Sequence, residues 1–289
     1  MTESEEQSDD SLDFWEANAR GRARWWDKFE ESFQVLSDRM IDLAGIRSGD
    51  SVLDVGTGTG EPALSAARRV GPQGRVVATD ISPAMLAVAR KKSADFGLMD
   101  NLEFQVMDAQ QLDFPVNTFD AVLCRLVLMF LPDANLALTN MRKLLRPGGA
   151  LAAVVLGPAQ QIPAITTWQG ALAREREVSG AALHSARPVA TDAIDPFRFS
   201  DPRELASALS KAGFQDVVTE FITTMHCFDS CEEFVSFQLD MDPPIQEEIS
   251  MLGMSRLLQS VRDALNPYLD ADGRVHLPGR HNIVAGRAP

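Results

Sequence analysis

The chain has 289 residues, with 41 acidic side chains against 27 lysines and arginines and a net charge of −14. Nucleic-acid binding rests on neutralising phosphates with cations, so this balance speaks against a general nucleic-acid binder and against docking on an anionic membrane. Hydrophobic residues at 45% and charged residues at 24% are ordinary for a globular chain of one large domain or two small ones. Three cysteines, Cys124, Cys227 and Cys231, are too few and too irregular for a disulfide framework or a structural zinc site. No run reaches the roughly 18 apolar residues of a membrane helix. No basic segment followed by an apolar one marks a signal peptide. The expectation is a cytoplasmic protein without a metal.

Residues 1–13 carry six acids and no base, and they read as a solvated, disordered tail. Residues 14–45 are helical in texture. Trp25, Trp26, Phe29, Phe33, Leu36 and Met40 recur at spacings of three and four, as a cover for the main domain or its ligand. From Ser51 short apolar runs alternate with helical stretches. Strands are expected at Ser51–Val55, Arg75–Thr79, Leu102–Met107, Ala121–Cys124 and Leu151–Leu156. One helix starts after the Ser82 cap at Pro83 and stops at Gly97. Another runs from Asn135 to Leu145, before the turn Arg146-Pro147-Gly148-Gly149. This alternation calls for a parallel sheet with helices on both faces. Residues 157–199 read as a loop-rich insertion with a helix near Trp168. A capped helix then begins at Asp201-Pro202. Val217–Met225 and His281–Ala285 are strand candidates, with residues 230–270 helical between them.

The most informative segment is Asp54-Val55-Gly56-Thr57-Gly58-Thr59-Gly60, where a strand enters a glycine-rich turn and a helix opens at Glu61-Pro62. Glycines allow positive φ and close backbone approach, and a helix N-terminus offers free N–H groups. The bland alternative is a tight strand-to-helix turn. Counting from Gly56, the sixth position is Glu61 rather than the glycine of a dinucleotide fingerprint, and no P-loop lysine follows. Asp80, ending the second strand, can accept both hydroxyls of a ribose, or it can be a helix-cap acid. Asp108-Ala109, ending the third, can hold an adenine edge or close a turn.

Together with Phe114-Pro115, Phe119-Asp120 and Leu145-Arg146-Pro147-Gly148-Gly149, these residues occur in one order at one spacing. The set resembles the class I S-adenosylmethionine-dependent methyltransferases, over roughly residues 50–156. Within the class it is similar to the small-molecule branch that includes the ubiquinone and menaquinone C-methyltransferases. The resemblance implies an α/β, Rossmann-like methyltransferase fold: a seven-stranded, mostly parallel sheet with helices on both faces and a helical cap. Residues 46–156 would form the cofactor-binding core, 157–199 a substrate-side insertion, and 200–289 the rest of the sheet with the cap at 230–270.

The resemblance further implies S-adenosyl-L-methionine as cofactor. Asp54, Gly56, Thr57, Gly58 and Gly60 would lie at its methionine part, Asp80 at the ribose, and Ile81, Met85, Asp108 and Ala109 at the adenine. Arg125, after the fourth strand, could bind the cofactor carboxylate, orient an anionic acceptor, or pair with an acid. A general base is needed only for a protonated nucleophile. The candidates are His184 and His226, each also readable as an ordinary surface or core residue. Trp25, Trp26, Trp168, Phe228 and Phe234 suggest an enclosed apolar pocket. The reading is methyl transfer to a small, partly apolar acceptor, aromatic or prenylated. The rivals are an NAD-type oxidoreductase and a non-catalytic adenosyl-ligand binder.

Overall fold

A computed structural model describes residues 3–179 and 195–289. Its strands are β1 (Ser51–Val55), β2 (Arg75–Asp80), β3 (Leu102–Val106), β4 (Phe119–Arg125), β5 (Leu145–Leu156), β6 (Gln215–Phe228) and β7 (Val275–Arg287). They form one seven-stranded sheet in the order β3-β2-β1-β4-β5-β7-β6. β7 alone runs opposite in direction to the other six strands. The order reverses between β1 and β4, and this is where an open α/β sheet places its ligand crevice, at the carboxyl ends of the strands. β1 and β2 are buried along nearly their whole length, Asp54 and Asp80 included, because both their faces are covered.

The helices are α1 (Glu3–Arg24), α2 (Trp26–Ala44), α3 (Ala63–Val70), α4 (Pro83–Asp95), α5 (Ala134–Leu144), α6 (Pro163–Ser179), α7 (Pro202–Lys211), α8 (Cys231–Met241), α9 (Ile245–Leu252) and α10 (Met254–Leu265). One sheet face is packed by α2, α3 and α4, through Phe33, Leu36, Met40, Leu64 and Leu86 against Val52, Val76, Leu123 and Val154. The other is packed by α5 and α7, through Leu138, Met141, Leu205 and Leu209 against Leu53, Val122, Leu151 and Val284. Side-chain caps fix where helices begin. Ser82 Oγ accepts from Met85 N at the start of α4, Asp133 from Leu136 N at α5, and Asp201 from Arg203 N at α7.

β6 and β7 are longer than the rest of the sheet requires, and pair as far as Phe228 with Val275. Their outer ends carry a third apolar core with α6, α8, α9 and α10, centred on Phe228, Phe234, Leu257, Val261 and Leu277. This is the helical cap.

Two local readings change. α1 begins at Glu3, so helix extends through the segment read as a disordered tail. Arg22 and Arg24 occupy its last turn, where a helix dipole favours cations. β5 begins at Leu145 rather than after the Arg146–Gly149 turn. Its register jumps from Phe119↔Leu145 to Ala121↔Ala150, so the tetrapeptide bulges out of a continuous strand, with Gly148 at φ 79°.

Candidate active site

The glycine turn sits at the switch point between β1 and α3. Gly56, Gly58 and Gly60 have φ of 72°, 55° and 120°. At Gly56 size matters as well, since a Cβ there would lie 2.3 Å from Val127 Cγ2. Val127 is brought over the turn by Leu126, which leaves β4 at φ 60°, a conformation costly for a branched side chain and common at ligand sites. Thr79 O accepts from Gly56 N and Thr57 N at 2.8 and 2.9 Å and ties the turn to β2.

Asp54 is fully buried, and its Oδ2 accepts from Ala63 N at 3.1 Å. Its Oδ1 and Thr57 Oγ1 are both buried and close no hydrogen bond of good geometry, though the Thr57 hydroxyl lies near enough to work against the rise in the Asp54 pKa. Burial pushes Asp54 up to about 7. Glu61 accepts from Ser65 Oγ at 3.0 Å, and burial followed by repulsion from Glu30 lifts it to about 7 as well. Unsatisfied buried acceptors are rare. At a glycine turn they fit a ligand that brings donors and positive charge, as the aminoacyl sulfonium part of S-adenosylmethionine would.

Asp80 follows one strand along. Its Oδ2 accepts from Gly58 N at 2.8 Å and its Oδ1 from Ser82 N at 2.9 Å, so it braces the glycine turn against the start of α4. Burial raises its pKa despite these bonds. A carboxylate has about four lone-pair sites, so acceptor capacity remains for hydroxyls. Ile81 is half-buried and Met85 fully buried beside it. Met107 N donates to Asp80 O at 2.9 Å, which draws the end of β3 alongside. There Asp108 Oδ1 accepts from Gln110 N at 2.8 Å, and Ala109 is buried. The glycine turn, Asp80 and Asp108-Ala109 thus stand in a row along the carboxyl edge of β1, β2 and β3.

Arg125 ends β4 on the α2 side of the sheet. Its guanidinium makes a two-pronged ion pair with Glu30 at 2.7 and 2.9 Å and a further bond to Ser37 Oγ at 3.0 Å. The pair is only 10% and 9% exposed. Burial works to lower the Arg125 pKa, but Glu30 outweighs it and holds the guanidinium above its ordinary value. Of the three roles open to Arg125 in the sequence, the structure supplies the acid partner.

His226 lies beneath α2 with its ring edge-on to Phe33, centroids 4.8 Å apart, and burial lowers it to about 4. His281 is its neighbour, likewise lowered to about 4 by burial, with Nδ1 3.0 Å from Gly279 O. Both are neutral imidazoles at neutral pH. His184 lies outside the described residues.

The aromatic residues read as a pocket lining are largely spent on packing. Trp168, Phe228 and Phe234 belong to the cap core. Trp25 joins that core and donates from Nε1 to Asp240 Oδ2 at 2.7 Å. Trp26 packs on the sheet face beneath Lys92, whose Nζ is 4.1 Å from the ring centroid. The rings that stay half-buried near the strand ends are Trp15, Phe29 and Phe130.

α1 lies within the N-terminal helical cover expected from the sequence, but its particular contacts were not foreseen. Glu16 accepts from Ser82 Oγ at 2.6 Å and Ala84 N at 3.0 Å, and so caps α4 next to Asp80. Trp15 meets Phe130 edge-on at 5.4 Å. Arg22 stacks against Trp15 and Phe29, 5.2 Å from each centroid. A signal was present: Trp15, Asn18, Ala19 and Arg22 fall at i, i+3, i+4 and i+7, one helix face.

Residues 52–149 match a family described as a methyltransferase domain. The ubiquinone/menaquinone biosynthesis C-methyltransferase UbiE of Teredinibacter turnerae is 41% identical over 131 residues, 45% of this chain and 49% of that protein. UbiE of Hahella chejuensis is 45% identical over 141 residues, 45% of this chain and 57% of that protein. The chain therefore spans about half the length of the curated relatives it matches. Among solved structures, phosphoethanolamine N-methyltransferase 2 of Haemonchus contortus aligns with a TM-score of 0.59 at 18% identity. The alignment covers 96% of this chain and 60% of that one. The [4+2]-cyclase SpnF aligns at 0.53 and 20% identity, over 88% of this chain and 80% of that one. The fold is the one these methyltransferases share, and residues 52–149 are similar to a methyltransferase domain. The cofactor-binding core there resembles the UbiE proteins.

Proposed function

We propose that the chain transfers a methyl group from S-adenosyl-L-methionine to a small, partly apolar acceptor. The observation that carries this reading is the row formed by the glycine turn, Asp80 and Asp108-Ala109 along the carboxyl edge of β1, β2 and β3, with the buried Asp54 carboxyl at its root. The cofactor supplies an already activated methyl, so the protein's part is to align the acceptor and exclude water. Asp54, Thr57 and the glycine turn hold the aminoacyl end, Asp80 the ribose, and Ile81, Met85, Asp108 and Ala109 the adenine. α1 covers the strand ends and keeps water out.

The UbiE relatives are named for C-methylation in ubiquinone and menaquinone biosynthesis, which supports a phenolic or quinol ring as the acceptor class. The half-buried rings of Trp15, Phe29 and Phe130 suit such a ring. Acidic net charge and the enclosing cap disfavour nucleic acid. No helix among the described residues is long and apolar enough to cross a membrane. A second reading is kept by the SpnF neighbour, whose name shows that this fold also hosts a cyclase.

A panel of phenolic, quinol and amine acceptors assayed with methyl-labelled cofactor tests the proposal. Label transfer to a phenol or quinol is the expected result. Cofactor binding with no transfer to any acceptor would favour the second reading, and transfer confined to polar amines would overturn the acceptor class.

A further inference from the structure

We propose that Arg22, held between Trp15 and Phe29 on the inner face of α1, is the receptor for a carboxylate entering the cleft. The proposal rests on the cofactor reading above and adds a ligand contact to it. Its starting point is an imbalance of charge. Three cations nearby have partners: Arg24 binds Asp240 at 2.9 Å, Lys28 binds Glu233 at 2.8 Å, and Arg125, at the end of β4, binds Glu30. Arg22 makes no ion pair among the described residues, and its Nε is buried without a hydrogen-bond partner.

Burial, followed by repulsion from Arg125, lowers Arg22 to about 10, while Asp80 and Glu30 attract it. Neither acid has been given to it. Glu30 is bound through both oxygens by Arg125, and Asp80, which braces the glycine turn and α4 and keeps acceptor capacity, makes no hydrogen bond or ion pair to Arg22. Arg22 is half-buried as a residue with its Nε fully shielded, and a charged guanidinium so placed without an ion pair is costly, so folded proteins ordinarily pair it. Its planar fork matches a carboxylate in a two-pronged geometry, and the aromatic walls keep the fork oriented. The alternative is a purely structural wedge, whose loss would disturb packing without regard to the charge of the ligand.

Two carboxylates have access to this cleft: the aminoacyl carboxylate of the cofactor and an acidic group on the acceptor. Calorimetric titration separates them. S-adenosylhomocysteine carries the carboxylate, and 5′-methylthioadenosine keeps the nucleoside and thioether but lacks it. If the cofactor is the source, Arg22→Gln weakens S-adenosylhomocysteine about tenfold to a hundredfold and leaves 5′-methylthioadenosine unchanged. Arg22→Lys, which keeps the charge and loses the fork, falls between. If the acceptor is the source, S-adenosylhomocysteine affinity is unchanged. On the loaded protein, 4-hydroxybenzoate then loses its advantage over 4-hydroxybenzyl alcohol in Arg22→Gln.

A variant that weakens neither the carboxylate-bearing nucleoside nor 4-hydroxybenzoate relative to their neutral counterparts overturns the proposal. Equal weakening of S-adenosylhomocysteine and 5′-methylthioadenosine also overturns it, because that is the mark of a wedge. Unmutated protein that binds neither nucleoside removes the cofactor reading itself. Unmutated protein that binds both, with an indifferent Arg22, removes only this inference.

Discussion

Asp54 sits at the point where sequence motif and electrostatics meet. Burial outweighs the nearby Thr57 hydroxyl and lifts its pKa to about 7, so near neutral pH the carboxyl is part protonated. A ligand that brings positive charge favours the ionised form and lowers that value on binding. The sign follows. Below about pH 7 the empty site must release a proton to bind, so affinity for S-adenosylmethionine should rise with pH and flatten above it. Titrations in buffers of different ionisation enthalpy should record proton release, and Asp54→Asn should reduce both the release and the slope. Arg125 belongs to the same scale but carries a different cost. Removing one partner of a buried pair leaves an unpaired charge, at about 3–5 kcal/mol. Arg125→Met should lower unfolding stability in urea by about that amount, and adding Glu30→Leu should recover much of it. A stable Arg125→Met protein that fails only in ligand binding would contradict the structural role.

At the scale of elements, the placement of α1 decides whether the site is covered. Gly21 lies where α1 crosses α8, and a Cβ there would stand 2.0 Å from Asp240 O. On a helix that does not dock, Gly→Ala is stabilising by about 1 kcal/mol. Docked as seen here, Gly21→Ala should destabilise the protein and weaken cofactor binding, because α1 must shift. A raised melting temperature with unchanged affinity would show that α1 does not pack on α8. The strands were legible in the sequence because buried parallel strands read as short apolar runs between capped helices. Ser82 and Asp201 mark their helices as expected. What the sequence did not disclose are partners distant along the chain. Glu30 meets Arg125 across 95 positions, and Glu16 meets Ser82 across 66. Such pairs leave no local periodicity.

Across the whole molecule, buried ionisable groups set opposing responses to acid. His226 falls from 6.5 to about 4 in the folded chain. Between those values the unfolded chain binds more protons, so stability is full above about 6.5 and is lost as pH falls toward 4. Asp54 and Glu61, both raised to about 7, act in the other direction, since the folded chain holds their protons and gains stability on acidification. His226→Phe removes one acid-labile contribution, on the order of 2 kcal/mol at about pH 5. Its melting temperature should therefore fall less than that of the unmutated protein between about pH 7.5 and 5, by several degrees. Equal falls would place His226 in contact with water.

The central claim is that the glycine turn, Asp80 and the end of β3 form an adenosyl-cofactor site, and calorimetric titration of the chain with S-adenosylhomocysteine, alongside NAD and with Asp80→Asn, tests it most directly. The account predicts binding of the adenosyl ligand in the presence of a chelator, no comparable binding of NAD, and affinity about 10- to 150-fold weaker in Asp80→Asn, the loss expected for a charge-assisted hydrogen bond. Binding of NAD in place of S-adenosylhomocysteine, or an Asp80→Asn protein that binds as the unmutated chain does, would contradict it.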